Sequence, residues 1–482
     1  MDSKKILIIV LILAFSIRMF LSFTTLLKGW DETVYANLGW NLKSNPFNYE
    51  FKYWGDKNLD ECWSCAGFRA PLLPYSIMIL YSVFGNSEII LNLFMPIIGT
   101  IGIVLLYLLA KRMFNEKIAL VSAIILAFLP LHVMFSGKFL TDVYATTLIT
   151  VTSLFFWLGF IENKFKFKLL FGLFLALSFL ARYISVVMVP VYLLLMLIRE
   201  RNFRFLTQKG TVLSFVIFFL VISPWLLYSY NEYNNPIGFL LHAKNAASYW
   251  GDTQPWYFFF QHSFESYSIF IIPFIFGLFD SIRKMNLKKF NYLLILFWIL
   301  AILGFSIYFN HKEERFLLTL TPAFSILAAI GIYKILDVKN RKLKIISSIF
   351  MVIVCIVVII SLIVISLIGL KNIYTEKDFC ILNSTKLLKG TENNSIIFTE
   401  LSSVIYHYTH KENHFLTHGF EDIDTLIKEN YIGRPVYALW IKDDTPQYIK
   451  DGLDANKNFK PIYKCPNEGL ELVVVCNYSI NS

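Results

Sequence analysis

The 482-residue chain is 56% hydrophobic and only 16% charged, with a mean hydropathy of +0.57. That is far more apolar than one soluble core of this length requires, so an ordinary soluble domain is excluded. The formal charge of +10 does not mark a nucleic-acid binder, because Lys and Arg are spread among short loops between apolar runs and do not gather on one domain.

A bilayer-spanning helix needs roughly 20 mostly apolar residues, and such windows recur from Ile6 to Leu370. In chain order we predict about eleven spans, at 5–26, 87–110, 118–135, 139–161, 167–181, 184–198, 211–230, 267–282, 290–309, 316–335 and 345–370. Lys4/Lys5, Lys111/Arg112/Lys117, Lys164/Lys166/Lys168, Arg199/Arg201/Arg204/Lys209, Arg283/Lys284/Lys288/Lys289 and Lys334/Lys339/Arg341/Lys342/Lys344 fall in every second interval, which the positive-inside rule makes cytoplasmic. The N-terminus is therefore expected in the cytoplasm. Everything after about Leu370 is expected outside the cell membrane, together with 28–69, 135–142, Arg182/Tyr183, 231–267 and 310–315. No small-residue cleavage site follows the first span, so it reads as an anchor.

In the first outer loop, Val34, Tyr35, Leu38 and Leu42 have helical spacing, which predicts an amphipathic helix over Asp31 to Lys43 lying on the membrane surface. Pro71 to Phe84 is apolar but too short to cross, hence interfacial or re-entrant. Cys62 and Cys65 form CWSC, which favours a local disulfide over zinc. Cys355, inside an apolar span, reads as inert packing. Tyr-Trp-Gly-Asp occurs at 53–56 and again at 249–252, both in outer loops, where interfacial aromatics are common.

From about Lys371 the composition turns to mixed charge, with strand-like runs at 395–399, 435–441 and 470–475 between helical stretches. The expected fold is thus an all-α polytopic membrane region, 1–370, followed by a small extracytoplasmic α/β domain, 371–482. Cys465 and Cys476 flank Pro-Asn-Glu-Gly and a strand, which reads as a cross-linked hairpin in an oxidising compartment.

Three sets of outer-face residues can carry chemistry. Asp31-Glu32 follows the first span directly. Acids at a helix start favour the macrodipole, but a carboxylate at the bilayer surface can also take a proton from an acceptor hydroxyl. His311-Lys-Glu-Glu-Arg315 precedes the tenth span. Lys312 and Arg315 are three apart, so they share a face once the helix begins, and two cations beside a helix N-terminus make a phosphate site. The alternative is a charged collar in which Glu313 and Glu314 neutralise Lys312 and Arg315. Arg69, Lys138, Asp142, Arg182, His242 and Lys244 stand at other outer mouths, where ionisable groups are costly.

Taken in order, Asp31-Glu32, Phe68-Arg69-Ala70-Pro71-Leu72, Thr141-Asp142 and His311-Lys312-Glu313-Glu314-Arg315-Phe316 followed by Pro322 resemble the C-type (GT-C) membrane glycosyltransferases. The likeness is to the dolichyl-phosphate-mannose protein mannosyltransferase and aminoarabinose transferase-like branch. It implies inverting transfer of a sugar from a polyprenyl-phosphate donor to an acceptor protein, lipid or glycan at the outer membrane face. In that reading Asp31 or Glu32 is the general base, and Arg69, Lys138, Arg182, His311, Lys312 and Arg315 hold the donor phosphate. Asp142, His242 and Lys244 are assigned to substrate or metal. A phosphate leaves as a stable anion, so such a site needs cations more than a second carboxylate. Some branches depend on a divalent metal, which Glu32 and Asp142 suit. The Trp-Trp-Asp motif of the oligosaccharyltransferase branch is absent from the sequence. The rival reading is a transporter or flippase of a lipid-linked sugar, which requires ionisable residues near span centres and broken helices. A non-catalytic receptor using the outer domain is the third.

Overall fold

The computed structural model describes residues 2–24, 27, 29–49, 68–249, 253–336, 360, 376–415, 423–441, 451–452, 456–465 and 473–479. Most of the expected span 345–370, the CWSC pair, Cys355 and the first Tyr-Trp-Gly-Asp lie outside those residues, as does nearly all of the second. The chain divides into two compact units: Met1–Phe23, Gly67–Leu73 and Ser87–Leu370 form one, and Thr24–Ala66, Pro74–Asn86 and Lys371–Ser482 the other.

The first unit is helical. Its elements are α1 (Ser3–Thr24), α4 (Glu88–Met113), α5 (Glu116–Phe128), α6 (Pro130–Ser136), α7 (Thr141–Phe156), α8 (Phe165–Ala181), α9 (Met188–Glu200), α10 (Lys209–Tyr233), α11 (Gly238–Tyr249), α12 (Phe258–Gln261), α13 (Ser263–Tyr267), α14 (Ile271–Lys284), α15 (Phe290–Tyr308) and α16 (Thr321–Leu336). Among the described residues eight helices are long and apolar enough to cross a membrane, or nine with the bent pair α5–α6 counted as one. The chain is a multi-pass membrane protein. Small residues set its closest crossing. A Cβ on Gly277 would fall 1.8 Å from the Leu327 carbonyl, and one on Gly331 1.7 Å from that of Pro273, so α14 and α16 touch backbone to backbone.

The expected span 118–135 is broken: α5 and α6 meet at 58°. Pro130 has no N–H, so the Leu126 carbonyl loses its helical donor. Arg18 of α1, wholly buried, supplies the replacement. Its guanidinium donates to the carbonyls of Ala127 (3.0 Å), Leu126 (3.4 Å) and Ala14 (2.9 Å), and meets His132 Nδ1 at 2.9 Å. An arginine only donates, so Nδ1 accepts and the neutral His132 ring carries its proton on Nε2.

The second unit contains α2 (Trp30–Ser44), the α3 residues from Pro74 onward (α3, Leu72–Phe84), and the C-terminal region. That region runs α17 (Glu376–Lys389), β1 (Ile396–Thr399), α18 (Ser402–Thr409), β2 (Asn413–Phe415), α19 (Ile423–Asn430), β3 (Val436–Ile441), β4 (Phe459–Cys465) and β5 (Val473–Tyr478). The sheet order is β2-β1-β3-β5-β4, with β2, β1 and β3 parallel and β5 antiparallel to both neighbours. Both faces of β1, β3 and β5 are covered, which is why these strands read as continuous apolar runs.

Two expectations change here. Val34, Tyr35, Leu38 and Leu42 are buried as their spacing implies, but protein covers α2 where a membrane surface was expected. Thr33 donates to the Ser403 hydroxyl and Asn37 to the Ser403 carbonyl, both at 2.8 Å, and Gly39 lets α3 approach so closely that a Cβ would sit 2.4 Å from Ile77. The hairpin β4–β5 forms, but Cys465 pairs with Cys380 of α17, and Cys476 is buried outside that bond. Register explains the change. Cys476 stands opposite Pro461, and Cys465 opposite Val473, whose side chain shares the α17 face with Cys380.

Candidate active site

The helical unit gathers several of the expected site charges around the segment 309–316. Asp142 lies in the first turn of α7, where the helix N-terminus favours an anion, and is 1% exposed. Arg182, extended at the C-terminus of α8, forms an ion pair with Asp142 Oδ1. The other oxygen, Oδ2, is buried without a hydrogen-bond partner among the described residues. The Arg182 guanidinium also lies 5.5 Å over the ring of Phe316. Phe316 in turn meets the His311 ring edge to face at 6.0 Å.

From His311 the contacts run on through Glu313. Its Oε1 is 3.1 Å from His311 Nε2 and accepts from Arg315 Nη2 at 2.8 Å. Burial pushes the Glu313 carboxyl up, but the hydrogen bond and charge of Arg315, with His311, outweigh it and hold the group below the usual range. Asp142, Arg182, Phe316, His311, Glu313 and Arg315 thus form one connected set, in which two arginines are each oriented by a carboxylate and remain about one-fifth exposed.

Lys312 does not join them. The chain here enters a 3₁₀ helix only at Glu314 (Glu314–Leu320), so Lys312 precedes the helix and shares no face with Arg315. It is buried, and its ammonium donates to the carbonyls of Phe309 (2.5 Å) and Gln254 (2.9 Å), while Gln254 N–H donates to the Asn310 carbonyl at 2.9 Å. Burial lowers its pKa. Lys312 thereby straps the 254 segment to the 310 segment. Of the charged collar, the Glu313–Arg315 half forms, while Glu314 turns to His262 at 3.4 Å.

The other expected residues are more scattered. Arg69 lies before α3 with its guanidinium 5.2 Å over Phe68, and Lys138, exposed, stands 4.9 Å over Phe135. His242 packs 4.3 Å from Tyr233, and Lys244 is exposed on the same helix, α11. Asp31 and Glu32 belong to the second unit, in the first turn of α2. Glu32 Oε2 accepts the Gly29 N–H at 3.1 Å, the half of a capping box that a glycine N-cap permits. Asp31, half-buried, makes no such cap. Phe316 as a platform and the partners His262 and Glu265 were not singled out from sequence. The His-x-x-Glu spacing at 262–265 was the available signal.

The chain has the ArnT-like fold of the GT-C glycosyltransferases. Residues 69–228 match the model of the dolichyl-phosphate-mannose-protein mannosyltransferase family. ArnT from Cupriavidus metallidurans superposes with a TM-score of 0.72 at 13% identity, over 99% of this chain and 98% of that one. The same protein bound to undecaprenyl phosphate gives 0.72, again at 13% identity, over 98% of each chain. The oligosaccharyltransferase of Archaeoglobus fulgidus gives 0.60 at 12% identity, over 90% of this chain and 68% of that chain. No curated protein matches the chain by sequence.

Proposed function

We propose that this chain is an inverting glycosyltransferase that moves a sugar from a polyprenyl-phosphate donor to an acceptor at the outer membrane face. The observation that carries the reading is the pair of carboxylate-oriented arginines, Arg182 and Arg315, joined through Phe316 and His311 on a GT-C fold. Pre-oriented cations of this kind stabilise a departing phosphate without reorganising. Arg69 and Lys138 extend the cationic set, and His242 and Lys244 are assigned to substrate. Asp142 orients Arg182 and offers its buried Oδ2 to an acceptor hydroxyl or a metal. Asp31 is the proposed general base, with Glu32 supporting it through the cap.

The outer-face assignment rests on the alternation of basic loops and on the Cys380–Cys465 disulfide, a bond suited to an oxidising compartment. The undecaprenyl phosphate bound by ArnT supports a polyprenyl-phosphate donor here.

The test is transfer from a labelled polyprenyl-phosphate sugar by the purified full chain. Asp31→Asn should lower transfer by about 10²–10⁴-fold while the chain stays folded, and Arg315→Ala or Arg182→Ala should weaken binding of the bare polyprenyl phosphate by roughly tenfold or more. A fully active Asp31→Asn chain removes the base. The flippase reading draws on Arg18, His132 and the broken α5–α6 span, and predicts leaflet exchange of the labelled lipid with no glycosidic bond made or broken.

A further inference from the structure

His262 at the start of α13, Glu265 on the same turn and Glu314 at the start of the 3₁₀ helix converge, with one ligand atom from each within 4.8 Å of the others. His262 Nδ1 lies 3.1 Å from a Glu265 oxygen and 3.4 Å from a Glu314 oxygen. A neutral ring can donate at most one proton from Nδ1, so it satisfies one of these carboxylates and not both. The carboxylates also approach each other closely enough to share a hydrogen bond. Lys138 is within electrostatic range of Glu314. Two like charges therefore converge on one nitrogen.

The spacing is that of a coordination polyhedron. Bonds of about 2.0–2.1 Å put neighbouring ligand atoms roughly 3.0–3.4 Å apart in octahedral to tetrahedral geometry, and both distances from His262 agree. The imidazole packs against Phe258 at 4.5 Å, which fixes the ring. Tyr267, 5% exposed, carries a buried hydroxyl with no hydrogen-bond partner among the described residues and lies within electrostatic range of Glu314. It is an additional polar group turned to no protein partner beside the cluster. The two backbone segments that bring the ligands together are already strapped by Gln254 and Lys312, so the site is pre-assembled.

We propose that His262, Glu265 and Glu314 bind one divalent transition-metal ion of the Zn²⁺ or Mn²⁺ class, which clamps the 254–267 segment to the 311–316 motif. One imidazole and two carboxylates form a borderline donor set that suits these ions better than Mg²⁺ or Ca²⁺. Exposure of Glu265 leaves the remaining coordination positions to water. The proposal goes beyond sugar transfer and does not depend on it.

The experiment uses the tag-free full chain in detergent, stripped with chelator and equilibrated with Zn²⁺ or Mn²⁺ in the absence of donor and acceptor. Elemental analysis should give one tightly held ion per chain, and the Mn²⁺ resonance spectrum should show a nitrogen ligand. Losing a hydrogen-bond partner of a metal ligand costs about 10–100-fold in affinity, so His262→Ala/Glu265→Gln, which removes two ligands, should lose more than about a hundredfold. Glu265→Gln alone removes an exposed side chain, is expected to fold, and should weaken binding by at least about tenfold. A wild-type chain that holds neither ion stoichiometrically overturns the site, as does unchanged affinity in Glu265→Gln. Neither result bears on transfer, which is measured separately.

Discussion

Arg18 offers the sharpest test of how the helical unit is held together. Replacing it with Met keeps much of the aliphatic stem but removes the donors from Leu126 and Ala127, whose carbonyls are exposed by the α5–α6 break. A buried acceptor left unsatisfied costs about 1–3 kcal/mol, so the two together cost roughly 2–6 kcal/mol. Removing a cation that is expensive to bury offsets part of this, and no charge is left behind because every partner is neutral. We expect a net loss of about 2–4 kcal/mol for Arg18→Met. The cause is checked by a double-mutant cycle with Pro130→Ala. That change restores an N–H four residues after Leu126, so the double variant should recover about 1 kcal/mol relative to the sum of the single variants. Denaturant titration in detergent, followed by circular dichroism, measures all four chains. If Arg18→Met matches wild type, or the two changes add within about 0.5 kcal/mol, the guanidinium is not replacing the donor that proline removes.

Gly277→Ala places a methyl against the Leu327 carbonyl and should cost about 1–3 kcal/mol or more, whereas Gly304→Ala, which meets nothing within 4 Å, should stay within about 0.5 kcal/mol in the same titration. Non-reducing peptide mapping should recover Cys380 linked to Cys465, and Cys380→Ser should destabilise the C-terminal region by about 2–5 kcal/mol while Cys476→Ser leaves the bond intact; a 465–476 cross-link would refute the register argument. His410 stacks on Trp40 at 4.1 Å, and burial, with His407 and Lys389, lowers it from 6.5 to about 4. A depressed histidine stabilises the fold fully above its unfolded pKa, and that contribution is lost as pH falls from about 6.5 toward 4. Its edge is exposed, so screening reduces the effect. The melting temperature should fall over this window, and less steeply in His410→Asn, which tolerates the same left-handed backbone (φ 56°). Equal slopes would rule the ring out.

Hydropathy made the spans legible because each apolar window must cross a bilayer of fixed thickness, and β1, β3 and β5 were legible because both their faces are buried, whereas the exposed β4 and the short β2 left no apolar run to read. Disulfide pairing was not, because Cys465 and Cys476 are near in sequence but point to opposite sides of the sheet, a property of register. The α2 stripe was read correctly as apolar but assigned to lipid. Periodicity identifies a face that must be covered without saying by what, and the cover includes α3 and Ser403, the latter more than 360 residues away in sequence. Arg18 was passed over because one arginine in an apolar window carries no signal until the break at Pro130 gives it carbonyls to hold.

The charged motif 311–315 shows the same limit at the candidate site. Lys312 and Arg315 have helical spacing, so sequence pairs them on one face. The chain turns helical only at Glu314, and that delay reverses the grouping. Lys312 is left in the preceding strap, where two carbonyls take its protons, while Arg315 stays with Glu313 and His311. Adjacent glutamates then face different partners, Glu313 toward the arginine and Glu314 toward His262. The motif therefore does two jobs that composition could not separate. One side orients Arg315, the cation proposed to meet the donor phosphate, and the other side ties the motif to the 254–267 segment. A substitution at Glu313 should change how Arg315 meets phosphate, whereas one at Glu314 should change how firmly the segment is held, although the two residues are neighbours of the same charge.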